Sequence, residues 1–228
     1  KFRQERPAVA EIVSALGILA EAKGDLPGAE VLYRQALGID PMAAEAAARL
    51  YEILKKRHEE ALLEPMVSRA LSTNANSVAH QNLMGLIREA KGDVAASEEH
   101  FRRAVALDPD YAGVLANLGS LLARTGRSVE AIKILTRAVE KEPGNYEARI
   151  NLGAALGKAG RHQEAIRVFE EARQRGFRSP TLFNGLAVAY HETGQYQKCI
   201  ESLKESLAAD PNQPQVREML AEVVARRS

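Results

Sequence analysis

The sequence predicts an all-α chain, a solenoid of six tandem 34-residue helix–turn–helix repeats closed by a C-terminal helix. Three observations carry that expectation. The phrase EAKGD stands at residues 21–25 and again at 89–93, 68 residues on. Gly24, Gly92, Gly126, Gly160 and Gly194 keep the same beat, at spacings of 68, 34, 34 and 34. Pro41, Pro109, Pro143 and Pro211 follow at 68, 34 and 68, and Asn117–Gly119 recurs as Asn151–Gly153 after 34 residues. A fixed period of this size marks stacked repeats, none of which can bury its apolar face alone. Six units fit without insertion: 10–43, 44–77, 78–111, 112–145, 146–179 and 180–213.

Each unit reads as two short helices. In the fourth, Leu115, Leu118 and Leu122 mark one face, and Ala131, Leu135 and Ala138 mark a second. Steps of three and four are the helical period, and no two-residue alternation suggests a sheet. EAKGD is the joint between the helices. Lys23 and Lys91 suit the negative end of a helix dipole. Gly24 and Gly92 supply the left-handed residue that ends the helix, and Asp25 and Asp93 cap the next one. Capping uses up every feature of the phrase, so it is punctuation rather than chemistry.

Gly17, Gly85, Gly119 and Gly153 fall mid-helix, where glycine costs about 1 kcal/mol relative to alanine. Their expected use is close approach of the paired helices, with Ala29, Ser97, Ala131 and Ala165 opposite. A large knob, Tyr33, Phe101, Leu135 or Phe169, follows each small residue. Asp-Pro at 40–41, 108–109 and 210–211 ends second helices, because proline disfavours helix in the residue before it.

The second unit (44–77) departs most. Tyr51 replaces the mid-helix glycine, Leu63 the small residue, His58 the joint glycine and Ala75 the terminal proline. Pro65 should push the start of the second helix towards Glu64, since the first turn tolerates proline. The two helices of this unit should then sit further apart. In the fifth unit Phe177 replaces the terminal proline, while Gly176 and Ser179–Pro180 supply a stop and a fresh start. Residues 1–9 read as the tail of a preceding repeat or a linker, with Pro7 in phase, and residues 214–228 as a capping helix. The first residue is not Met, and the expectation is a segment of a longer protein.

Composition narrows the function. There are 31 Lys+Arg against 30 Asp+Glu, so no basic excess points to nucleic acid. Trp is absent and aromatics are 5%, which argues against a base-stacking platform. No run is apolar and long enough to span a bilayer, and KFRQERPAVA has no signal-peptide core. The cytoplasm is therefore the default compartment. His58, His80, His100, His162 and His191 form no HExxH motif or i, i+4 histidine pair, so no metal is expected. The lone Cys199 reads as a small buried residue. GAALGKAG (Gly153–Gly160) is one residue short of a P-loop and lies in a helix, so it reads as packing. No catalytic set and no cofactor are expected.

Leu118, Gly119, Leu122, Ala131, Leu135, Ala138 and Pro143 match, in register, the tetratricopeptide repeat pattern. So do Leu16, Gly17, Ala20, Ala29, Tyr33, Ala36 and Pro41. The chain resembles that family over residues 10–213. The resemblance implies a right-handed superhelix whose first helices line a concave groove that holds a peptide segment of a partner protein. The groove residues it implies are Asn82 and Leu86; Asn117, Ser120 and Arg124; Ile150, Asn151 and Lys158; Asn184, Val188 and His191.

Asn117 and Asn151 match an asparagine that contacts peptide backbone in some members, and a carboxamide both donates and accepts. Local helix support explains the same residues equally well. Asn82 and Asn184 sit one place off and rank lower. The carboxylate-clamp set of chaperone adaptors is not in register. The expected role is a non-enzymatic interaction scaffold. The alternatives are a recruitment or regulatory module of a larger glycosyltransferase or hydrolase, or a self-associating array.

Overall fold

The 34-residue beat reappears as helix starts. A computed structural model describes residues 2–225; residue 1 and residues 226–228, assigned above to the leading tail and the capping helix, lie outside it. First helices α3 (Ala44–Lys55), α5 (Val78–Ala90), α7 (Ala112–Arg124), α9 (Tyr146–Lys158), α11 (Pro180–Glu192) and α13 (Pro214–Ala225) each begin 34 residues after the last. Second helices are α2 (Leu26–Ile39), α4 (Glu64–Thr73), α6 (Val94–Leu107), α8 (Ser128–Lys141), α10 (His162–Gln174) and α12 (Tyr196–Ala209). The fold is an all-α solenoid of tandem helix–turn–helix repeats, with no strand among the described residues. None of these helices is long and apolar enough to cross a membrane.

Helix α1 (Phe2–Ala22) runs unbroken through Pro7, where the sequence suggested a separate tail or linker before residue 10. A proline this close to a helix start disturbs only the turn before it.

The chain divides into two compact units, Lys1–Pro109 and Asp110–Ser228. In the first, α1 packs on α2 and α5 on α6; in the second, α7 pairs with α8, α9 with α10, and α11 with α12. Helix α13 packs on α12.

The joints close as capping physics requires. Gly24, Gly92, Gly126, Gly160 and Gly194 have φ between 71° and 83°. At the first joint the Asp25 amide donates back to the Ala20 carbonyl at 3.0 Å, and the Asp25 carboxylate accepts from the Gly28 amide at 2.9 Å. His58 takes the same left-handed conformation, with φ 57°, and the Glu59 amide reaches Leu54 at 3.0 Å. The degenerate joint thus keeps the shape with a residue that resists it. Replacing His58 by Gly should therefore stabilise the protein by about 1 kcal/mol, the left-handed penalty of a residue with a Cβ. An unchanged or lower urea midpoint would contradict this.

The mid-helix glycines make room for the knobs rather than chiefly for the small residues opposite. A Cβ on Gly153 would lie 2.5 Å from the Phe169 ring, and one on Gly85 the same distance from Phe101. At the equivalent place in the second unit's sequence, Tyr51 replaces glycine and Val67 stands where the other units have Tyr33, Phe101 or Leu135. Large and small have exchanged sides, which roughly conserves volume. Tyr51, Leu63 and Val67 are all buried in one cluster with Leu50 and Leu54. The cost falls on the backbone: residues Glu60–Leu63 wind as a 3₁₀ turn, and α4 starts at Glu64 with Pro65 in its first turn. Helix α3 packs against that turn rather than along α4.

His80 and Cys199, two side chains with chemistry of their own, are buried in the packing. His80 is buried with Nδ1 2.8 Å from the Ser77 hydroxyl, and burial holds its pKa below the usual imidazole value. Cys199 is fully buried, and burial pushes its thiol pKa up, so it is held as an inert thiol.

Candidate functional site

In the compact unit Asp110–Ser228, α9 and α11 lie beside one another, with α10 packed against both. Each start is fixed locally. The Asn145 side chain caps α9 at the Ala148 amide, 2.9 Å. The Ser179 hydroxyl caps α11 at the Leu182 amide, 3.2 Å, with Pro180 opening the helix. Gly176, with φ 89°, ends the preceding segment. Tyr146 stacks on Phe177 at 4.5 Å between ring centres and meets the Ser179 hydroxyl, tying the two helix starts together.

Between α9 and α11 the side chains shrink. Ala154 and Gly157 on α9 and Gly185 on α11 leave a hollow of about 400 Å³. Ile150, Val188 and Ala189 line it with carbon, Phe169 and Ala165 come from α10, and Lys158 stands at the end of α9. A Cβ placed on Gly157 would meet nothing within 4 Å. The repeat does not require that glycine: its equivalents are Glu21, Lys55, Glu89, Ala123 and His191. Phe169 fits between two glycines, since a Cβ on Gly185 would also come within 2.5 Å of its ring.

Two residues that line the hollow each bury a polar atom without a partner, out of reach of solvent. Asn184 donates through Nδ2 to the Gln213 side-chain oxygen at 2.9 Å, and its own Oδ1 is buried without a hydrogen bond. Gln213 is itself fixed, because its Nε2 donates to the carbonyls of Asp210 at 2.8 Å and Ser206 at 3.1 Å. That chain of bonds sets which end of the Asn184 amide is nitrogen. His162, the first residue of α10, has a buried Nδ1 that is also unpartnered.

The structure brings together Ile150, Lys158, Asn184 and Val188 from the groove set read in the sequence. It does not place Asn117, Ser120, Arg124, Asn151 or His191 on the hollow. Asn117 and Arg124 have interactions of their own, and Ser120 and Asn151 are half-buried on α7 and α9. His191 pairs with Glu192 at 3.2 Å and meets the edge of Tyr196. Asn82 and Leu86 belong to the other compact unit, Lys1–Pro109; Asn82 has an interaction of its own, and Leu86 packs on the core cluster there. The sequence reading puts Asn117 and Asn151 before Asn184; of these three, Asn184 is the one that lines the hollow. The hollow also adds Gly157, Gly185, Thr181 and His162. A helix-interior glycine off the repeat's own glycine places was the readable sign. Among the described residues, no cluster of three His, Cys, Asp or Glu side chains is arranged to hold a metal ion.

Tetratricopeptide repeat family models match residues 156–223 in one case and residues 82–146 and 117–180 in another, so together they reach from 82 to 223. This chain belongs to the tetratricopeptide repeat family. Superkiller protein 3 of Schizosaccharomyces pombe is 25% identical over 138 residues, which are 58% of this chain and 10% of that protein. Two solved structures share the fold at lower identity. The APC/C hetero-tetramer Cut9–Hcn1 superposes with a TM-score of 0.83 and 18% identity, over 94% of this chain and 42% of that one. YrrB, a TPR protein with an unusual peptide-binding site, gives 0.61 and 19%, over 82% and 96%. The chain thus spans a tenth of the length of the curated relative and under half of the Cut9–Hcn1 chain. Tetratricopeptide repeats scaffold protein–protein contacts and are in general non-catalytic.

Proposed function

We propose that this protein is an interaction scaffold that binds an extended peptide segment of a partner along α9 and α11, anchored by one side chain in the hollow. The observation that carries the reading is Gly157. It spends helix stability at a place where the repeat needs no glycine, and the space it opens is concave and mostly apolar. Such hollows with a few convergent polar groups are the ordinary form of a ligand site. YrrB, which shares the fold, carries a peptide-binding site. Asn151 supplies a carboxamide on the same helix, able to pair with a peptide group whatever its side chain.

The test is a titration. Peptides selected from a random-sequence display library on the wild-type protein are measured by fluorescence polarisation against Gly157→Leu. Filling the hollow should weaken binding roughly thirtyfold or more, the cost of losing one anchor. The variant should melt no lower than wild type, because a helix-interior glycine has been removed. Unchanged affinity in a folded variant would refute the reading.

A further inference from the structure

Resting on that reading, we infer that the hollow takes a large apolar side chain, Leu, Met or Phe, and that the residue beside it in the partner segment is an Asp or Glu held by Lys158. The two unpartnered polar atoms nearby are sealed from solvent, so they are offered to no ligand. What the opening of about 400 Å³ does present is chiefly carbon, from Ile150, Ala154, Phe169 and Val188. Val188 is 48% exposed, so this apolar surface stands in water until a ligand covers it. A hydroxyl, amide or charge pushed against those walls would lose water and meet carbon, whereas a hydrocarbon chain gains by leaving water. A short chain such as Ala would leave most of the walls without contact atoms. Charge selects the neighbour. Among the described residues that line the hollow, Lys158 alone carries a formal charge at neutral pH. It is exposed at the end of α9 and donates to the Ala123 carbonyl at 3.4 Å, a long bond to a neutral acceptor. Among the described residues no carboxylate pairs with it. Arg161 and Arg173 of the same unit, by contrast, are answered by Glu164 and by Glu170 and Glu205. A rim cation with no acid around it attracts a carboxylate and repels a basic residue. The segment runs on along α9 and α11, so the carboxylate belongs to an internal side chain.

The experiment pans the same library on wild type and on Gly157→Leu, then varies two residues of a peptide that only the wild type retains. Peptides lost by Gly157→Leu should be enriched in Leu, Met or Phe next to Asp or Glu. Changing the anchor to serine should weaken binding roughly thirtyfold or more. Changing the neighbouring acid to its amide should weaken binding about three- to fivefold, the size of a solvent-exposed ion pair. The same change should make no difference on Lys158→Gln. On Lys158→Glu, the peptide with lysine in place of the acid should bind better than the acidic one. Lys158 is exposed, so both variants should melt with the wild type. Amidating the peptide's C-terminus should change nothing; loss of binding there would move the carboxylate to the chain end and overturn the internal assignment. Selected anchors that are tyrosine or polar would overturn the apolar assignment. An equal loss from acid to amide on wild type and Lys158→Gln would overturn the role of Lys158. All three of these results leave the groove reading standing. If Gly157→Leu retains every peptide, the groove reading itself fails. Light scattering on the free protein provides a separate check. Self-association that Gly157→Leu abolishes would assign the hollow to a second copy and overturn the partner assignment.

Discussion

Phe169→Ala should lower stability by about 3–5 kcal/mol, the range for deleting a buried aromatic ring. The upper part of that range is expected for a local reason. Phe169 is 2% exposed, and the residues on two sides of its ring are Gly153 and Gly185. Glycines have no side chains that can relax into the void. Phe169→Leu should cost less than about 1.5 kcal/mol, because a branched side chain refills most of the volume. Leu135 and Leu203 already serve at the equivalent places and are buried.

A second substitution makes the argument sharper. Gly153→Ala in wild type forces a Cβ against the ring and should destabilise by about 1–3 kcal/mol. In the Phe169→Ala background the clash is gone, and the helix gains alanine for glycine, so the same change should stabilise by up to about 1 kcal/mol. The reversal of sign is the measurement, read from urea unfolding of the four proteins of the cycle. Additive effects would mean that the glycine is not there for the ring.

Period and capping were legible in the sequence because each is a local matter. A helix start depends on Asn145 or Ser179 and the three residues after it, and a joint on one left-handed residue. The second unit was half legible. The foreign residues Tyr51 and Leu63 stood out, but the compensation by Val67 needed the knob and glycine places compared side by side.

Arg149 was not legible at all. It occupies a place where the other units hold Val13, Ala47, Gln81, Leu115 and Phe183, and it is 3% exposed. Its guanidinium donates to Glu171 at 2.8 Å and to the Pro143 carbonyl at 2.9 Å, partners on either side of it in the chain that only the fold brings near. The candidate site was legible in part for a related reason. The family pattern points to the face of the first helix, and Ile150, Lys158, Asn184 and Val188 from that face line the hollow. The hollow itself is made by missing side chains, and absence at Gly157 and Gly185 becomes a shape only when two helices stand together.

Leu186→Ala should cost about 2–5 kcal/mol, whereas Leu16→Ala should stay within about 0.5 kcal/mol, although the repeat gives both residues the same place. Leu186, in the compact unit Asp110–Ser228, is fully buried, as is Leu50 at the matching place in the compact unit Lys1–Pro109. Leu16 is 49% exposed, and its neighbours on the same face of α1, Ile12 and Leu19, are 63% and 51% exposed. The helical stripe is the same in all three helices, so periodicity alone reads them all as core. Burial of this face depends on an element packed over it, and for Leu50 that element includes α2. The hydrophobic stabilisation of a leucine is proportional to the area removed from water, so identical residues in identical registers contribute unequally. Alanine also has the better helix propensity, which offsets part of the small loss at residue 16. Urea unfolding of the two single variants decides the matter. Equal losses at Leu16 and Leu186 would show that the face of α1 is covered in solution.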